Sequence, residues 1–183
     1  MVTAARRRTR SLASIEAKVR RYAATLVQLE TRSFMASAVP EFGERVPGVE
    51  YVLRPGGYAI IFGDRGQLAG VSTLSGLALP GGGQDEGESP EDAAIRETEE
   101  ECGLRIKVGP QIDVADELKF CPRSGSYYRK RCTFFFAEVI RTAERTQLDH
   151  ELIWVSPDDA LTRLIFQSQR WAVGEALRRK KAK

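Results

Sequence analysis

Cysteine is scarce. Cys102, Cys121 and Cys132 are an odd count, and no two of them stand in CxxC spacing. That excludes a disulfide framework and a cysteine-based zinc site, and points to a reducing, cytoplasmic setting. Histidine is scarcer still, with His150 alone, which reads as an exposed loop residue rather than a catalyst. No apolar run approaches the ~18 residues of a membrane span, so no membrane partner is expected. There is no apolar signal segment either. Met1 to Ser14 lacks acids and is rich in arginine. It has a faint likeness to a mitochondrial presequence, but short basic arms of this kind are common.

What is present is an ordinary globular composition, 42% hydrophobic and 29% charged, with a strong asymmetry hidden in the net charge of +3. Between Asp85 and Glu101 nine acids face one base, Arg96, so this window carries −8 and the rest of the chain +11. Like charges at helical spacing destabilise a helix by roughly 0.2–0.5 kcal/mol per pair. A cationic partner is therefore expected.

Ser11 to about Ala38 reads as an amphipathic helix. Leu12, Val19 and Leu26 recur every seventh residue, as do Ile15, Tyr22 and Leu29. Such a seam packs on its own domain or pairs two chains into a homodimer. Pro40, Pro47 and Gly48 mark a linker, dividing an amino-terminal module (1–48) from a second domain (49–183). In that domain Val49–Leu53 and Tyr58–Phe62 are strand-like, with Pro55-Gly56-Gly57 as a turn between them. Gln67–Thr73 continues the pattern, and Pro80 to Gly83 reads as a loop. Arg105–Val108, Gln111–Phe120 and Arg131–Ile140 are further strands, the last two separated by a polar, aromatic loop from Pro122 to Lys130. Leu152–Val155 is a short strand, and Ser156 to about Arg179 is helical with a break near Gln167. Strands mixed with a few helices predict an α/β sandwich.

The acidic window holds the best-marked helix. Ser89 is its N-cap candidate, Pro90 stands at the first helical position, Asp92 completes a capping-box-like pattern, and Gly103 is the C-cap. At 100° per residue, Glu101 lies about +40° and Glu100 about −60° from Glu97, so the three carboxylates share a face. Ala94, Ile95, Thr98 and Cys102 form a core face, and Glu99 points nearly opposite Glu97. Convergent carboxylates on a rigid helix, with glycine carbonyls nearby, suit Mg²⁺ or Mn²⁺.

Gly82, Glu88 and the run Arg96-Glu97-Thr98-Glu99-Glu100-Glu101-Cys102-Gly103-Leu104 together resemble the Nudix box, G-x5-E-x7-R-E-U-x-E-E-x-G-U, where U is apolar. Every fixed position matches. Thr98 replaces an aliphatic residue, and its hydroxyl is expected to bond a carbonyl one turn back. The resemblance implies an α/β/α sandwich with a mixed sheet. It also implies metal binding by Glu97, Glu100, Glu101 and the Gly81 carbonyl, and support of the loop–helix geometry by Glu88 and Arg96. The implied reaction is hydrolysis of a diphosphate linkage in a small nucleoside diphosphate-X compound, by water attack on phosphorus.

Substrate choice lies outside the box. Arg129, Arg131, Tyr128 and Phe120 are candidate substrate contacts, since cations hold phosphates and rings stack bases. Asp149 or Glu151 is a candidate extra acid–base group, with Glu117 as a further possibility. The basic tail Arg178 to Lys183 reads as a solvated helix end, which leaves nucleic acid an unlikely partner. An RNA 5′-end pyrophosphohydrolase and a non-catalytic nucleotide-binding module are the alternatives. The complete set of box glutamates disfavours the second.

Overall fold

The computed structural model describes residues 39–182. The amino-terminal helix expected over 11–38, and the dimer seam read from it, lie outside the described residues.

Strand β2 (Tyr51–Ile61) runs straight through Pro55-Gly56-Gly57, where the sequence suggests a turn. The glycines serve close approach instead. A Cβ on Gly57 would lie 1.7 Å from the Pro90 carbonyl oxygen, and one on Gly56 would lie 2.2 Å from that of Gly82. Strand β5 (Gly81–Gly83), expected as a loop, pairs antiparallel with β2 through those residues. The other elements are β1 (Glu41–Phe42), β3 (Leu68–Thr73), β4 (Gly76–Ala78), β6 (Leu104–Cys121), β7 (Ser126–Thr142) and β8 (Glu151–Val155). The helices are α1 (Pro90–Cys102), α2 (Pro157–Arg163) and α3 (Gln167–Lys181).

Two sheets result. One has the order β1-β6-β7-β2-β5 and the other β4-β3-β8. The larger is mixed: β7 and β2 run parallel, while β6 and β7 are antiparallel. Strand β6 merges two expected strands across register shifts between Val108 and Asp113. The expected loop from Pro122 to Lys130 shrinks to a turn, because β7 already begins at Ser126. Polar residues disguise this part of the hairpin, whose turn is exposed and whose strand residues from Ser126 to Lys130 are half-buried. The compact unit starts at Pro40, since β1 pairs with β6.

The period of two sorts the core. Tyr58 and Ile60 join Phe134, Cys132, Ala172, Val173 and Ala176 on the α3 side. Ala59 and Ile61 join Cys102, Leu104, Ile106 and Ala137 on the α1 side. The sheet is thus covered on both faces. Phe134 and Phe135 are consecutive, sealed, and turned to opposite faces; each buried ring contributes roughly 1.5–3 kcal/mol. Two buried polar groups pin α3. Gln169 Oε1 accepts from the Leu79 amide at 2.9 Å. The carboxylate of Glu117 accepts from the Gln167 and Ser168 amides at 3.3 and 2.7 Å. Because Phe166 gives α3 no side-chain cap, Glu117 satisfies its orphan amides from β6 and complements the helix dipole. Among the described residues no helix is long and apolar enough to cross a membrane.

Candidate active site

Helix α1 starts and stops where its sequence says. Ser89 Oγ accepts from the Asp92 amide at 3.1 Å and donates to the Asp92 carboxylate at 2.7 Å. Gly103 closes the helix in the left-handed conformation. Ala94, Thr98 and Cys102 are buried as expected, and Glu99 turns away to pair with Arg105 at 2.8 Å. Two details differ. Glu101 is itself buried, only 8% exposed, on the border between the acidic and core faces. The Thr98 hydroxyl, fully buried, has no hydrogen-bond partner; the expected bond to the preceding turn is not made.

The glycine strand presses its backbone against the acidic face. A Cβ on Gly82 would lie 2.5 Å from the Glu97 carboxylate, so only glycine leaves that carboxylate its place. The Gly81 amide donates to Glu101 Oε2 at 3.1 Å. Arg96 ties the remainder together. Its Nε and Nη2 donate to the two oxygens of Glu88, each at 2.9 Å, in a bidentate fork. Nη2 also donates to the Gly83 carbonyl at 2.9 Å, and Nη1 reaches Glu97 at 3.0 Å and Glu100 at 3.5 Å. Glu88 further accepts from the Asp85 amide, which shapes the loop before the helix. The Arg96 hydrogen bonds hold the Glu88 carboxyl below its ordinary range, and Glu88 in turn holds the guanidinium firmly protonated.

Glu101 goes the other way. Burial pushes its carboxyl up to about 7; the charges of Glu97 and Glu100 add to the rise, while the Gly81 amide and Lys130 oppose it. A carboxyl so placed calls for positive charge. Among the described residues no three acidic, histidine or cysteine side chains are gathered into one ready coordination shell. Glu97 and Glu100 lean toward Arg96, and Glu101 toward the Gly81 amide. The donor set nonetheless fits a hard divalent cation. All three groups are carboxylates on one face, Glu97 and Glu100 half-buried and Glu101 buried, beside backbone that no side chain crowds.

The sequence missed what the segment 143–150 does. The Thr146 and Gln147 amides donate to the Glu100 carbonyl at 3.1 and 3.0 Å, and Gln147 Nε2 to the Glu100 carboxylate at 3.2 Å. This straps the segment to the end of α1 and brings His150 Nδ1 within 3.2 Å of Glu101 Oε1. The pair is close enough to attract when the ring is protonated. It is too poorly aligned for a hydrogen bond, so this buried nitrogen has no hydrogen-bond partner. Asp149 and Glu151, the expected extra acids, are exposed on either side of His150 and pair with no cation among the described residues.

The candidate substrate contacts divide between the two faces of the sheet. Arg129, Arg131 and Phe120 share the α1 side with Asp116, which accepts a bidentate pair from Arg131 at 2.9 and 3.0 Å. Arg129 reaches the same carboxylate at 3.6 Å. Tyr128 faces the other way, beside Arg54, Lys119 and Lys130. Strand alternation makes this division readable once β7 is known to start at Ser126.

A family model described as the NUDIX domain matches residues 49–174, more than half of the chain. Among solved structures, a NUDIX hydrolase from Nitrosomonas europaea superposes with a TM-score of 0.59 at 18% identity, covering 70% of this chain and 91% of its own. The MutT protein from Methanosarcina mazei Go1 gives 0.57 at 19% identity, covering 74% and 100%. A MutT NUDIX hydrolase from Burkholderia pseudomallei gives 0.53 at 26% identity, covering 68% and 98%. No curated protein matches the chain. The family match over most of the domain, with the acidic helix and glycine strand inside it, establishes that the chain belongs to the Nudix hydrolase family.

Proposed function

We propose that the chain hydrolyses the diphosphate linkage of a small nucleoside diphosphate-X compound, using Mg²⁺ or Mn²⁺ held by Glu97, Glu100, Glu101 and the Gly81 carbonyl. One observation carries the reading: three carboxylates of one helix face are pressed against a side-chain-free strand, and the most buried of them, Glu101, is driven up to about 7. When bound, the divalent ion supplies Lewis acidity toward phosphate oxygens and lowers the pKa of water.

The chain's own residues do the rest. Glu88 and Arg96 fix the turn of loop into helix, so the carboxylates keep one geometry. Glu101, the most buried of the three and held by the Gly81 amide, can accept a proton from the attacking water. His150 is well placed to orient it. Arg131 is committed to Asp116, so substrate contacts favour the Tyr128 face.

The test is phosphate release from a panel of nucleoside diphosphate compounds with Mg²⁺ and with Mn²⁺. Turnover that EDTA abolishes and that Glu101→Gln lowers at least ~100-fold supports the reading. No turnover of any compound, with the fold intact, overturns it.

A further inference from the structure

The α3 side of the β6–β7–β2 sheet extends past the core into an exposed patch of cations. Arg54 stands opposite Lys130 in the β2–β7 register, and Lys119 stands opposite Tyr128 in the β6–β7 register. Arg54, Lys119, Tyr128 and Lys130 line a cleft of about 270 Å³. Like charges placed directly opposite each other across strands are destabilising. Yet among the described residues none of the three cations has a carboxylate within ion-pair distance. Glu117 stands opposite Lys130 in register, but its oxygens serve the α3 amides.

Each cation lies over an aromatic ring instead. The Arg54 guanidinium sits 5.2 Å from the Tyr128 centroid. The Lys119 and Lys130 ammoniums sit 5.0 and 4.6 Å from the same Phe166 ring. This decides what the cleft can accept. A face of Tyr128 and a face of Phe166 thus already carry cations. The free valence of the patch is positive charge.

The patch also adjoins the acidic site. Lys130 lies 5.5 Å from the Tyr58 ring. Tyr58 pairs with Gly81, whose amide holds Glu101. The charge of Lys130 is felt by Glu101 as well.

From this juxtaposition we infer that Arg54, Lys119 and Lys130 form a subsite for the far phosphates of a substrate carrying three or more linked phosphates. The chain would run from the carboxylate site toward Lys130 and into the cleft. The inference rests on the proposed diphosphate hydrolysis and narrows it to a polyphosphate substrate, with base and sugar held elsewhere.

Binding of inorganic tripolyphosphate to the full chain, measured calorimetrically in EDTA at low salt, tests the subsite apart from turnover. Tripolyphosphate should bind at least tenfold more tightly than orthophosphate. Arg54→Ala/Lys119→Ala should erase most of that difference, and Arg54→Lys/Lys119→Arg should keep it. Glu97→Gln/Glu100→Gln should not weaken the binding. A double alanine variant that is folded by circular dichroism yet binds as well as the parent overturns the inference, as does equal affinity for the two anions. Under Mn²⁺ the same alanine variant should raise KM for a nucleoside triphosphate at least tenfold while changing KM for ADP-ribose little. Equal increases for both overturn the subsite without touching the hydrolase reading, which fails only if neither compound is turned over.

Discussion

Glu101 should be harmful to the metal-free protein and indispensable to the working one, and a single substitution separates the two effects. A native carboxyl raised from 4.5 to about 7 holds its proton better folded than unfolded. Its penalty is therefore absent well below pH 4.5, grows as the unfolded chain ionises, and is complete above about pH 7. At ~1.4 kcal/mol per tenfold difference in proton affinity, the full penalty is about 3 kcal/mol. Glu101→Gln removes the charge, keeps the size, and leaves an amide oxygen to accept from Gly81. In EDTA at pH 8 the variant should be more stable than the parent by about 3 kcal/mol, a rise in Tm on the order of 6–12 °C for a domain of this size. At pH 5 the advantage should shrink to about 1 kcal/mol. Urea unfolding followed by circular dichroism at the two pH values measures it. An advantage that is missing at pH 8, or equal at both, refutes the argument that burial and neighbouring carboxylates strain this residue.

Five further outcomes are expected. Saturating Mn²⁺ or Mg²⁺ should raise Tm, by roughly 2.7 kcal/mol of stability at a hundred times Kd, and Glu97→Gln/Glu100→Gln should abolish the rise; an unchanged rise would place the metal elsewhere. Glu99→Gln, on the side that pairs with Arg105, should retain nearly full kcat/KM, and a loss matching that of Glu101→Gln would break the assignment of faces. Thr98→Val should stabilise the protein by about 1 kcal/mol in urea midpoint, because it removes a buried hydroxyl without a partner. Gly82→Ala should leave a folded protein with at least tenfold weaker metal-induced stabilisation, since a flexible Glu97 carboxylate yields to the new Cβ. Gly57→Ala should cost ~3 kcal/mol or more, since the obstacle is the Pro90 backbone.

Helix α1 was fully legible because several local signals agree there: cap, proline, acid spacing and terminal glycine all specify the same thirteen residues. That Glu97, Glu100 and Glu101 share one face followed from the helical angle alone. Gly56 and Gly57 misled because a glycine that lets another backbone approach looks, in sequence, like a glycine that turns. Ser126 to Lys130 mislead because this end of the strand carries polar or charged residues and rings on both faces, all half-buried, so no apolar alternation marks it. His150 was discounted as a loop residue. Its place beside Glu101 depends on amides of Thr146 and Gln147 bonding the Glu100 carbonyl, and backbone bonds leave no mark in residue type.

Arg96 behaves as a tethered counter-ion. Two of its three nitrogens are committed to Glu88 and the Gly83 carbonyl, and the third alone serves Glu97 and Glu100. A metal ion bound between those glutamates, as proposed, would have one nitrogen to displace, with the fork on Glu88 left closed. Loading would then exchange one cation for another on a helix that is already folded. A lysine, with a single nitrogen, would have to choose between holding the loop and shielding the carboxylates. The planar guanidinium does both, so the acidic helix face keeps a counter-ion without any metal.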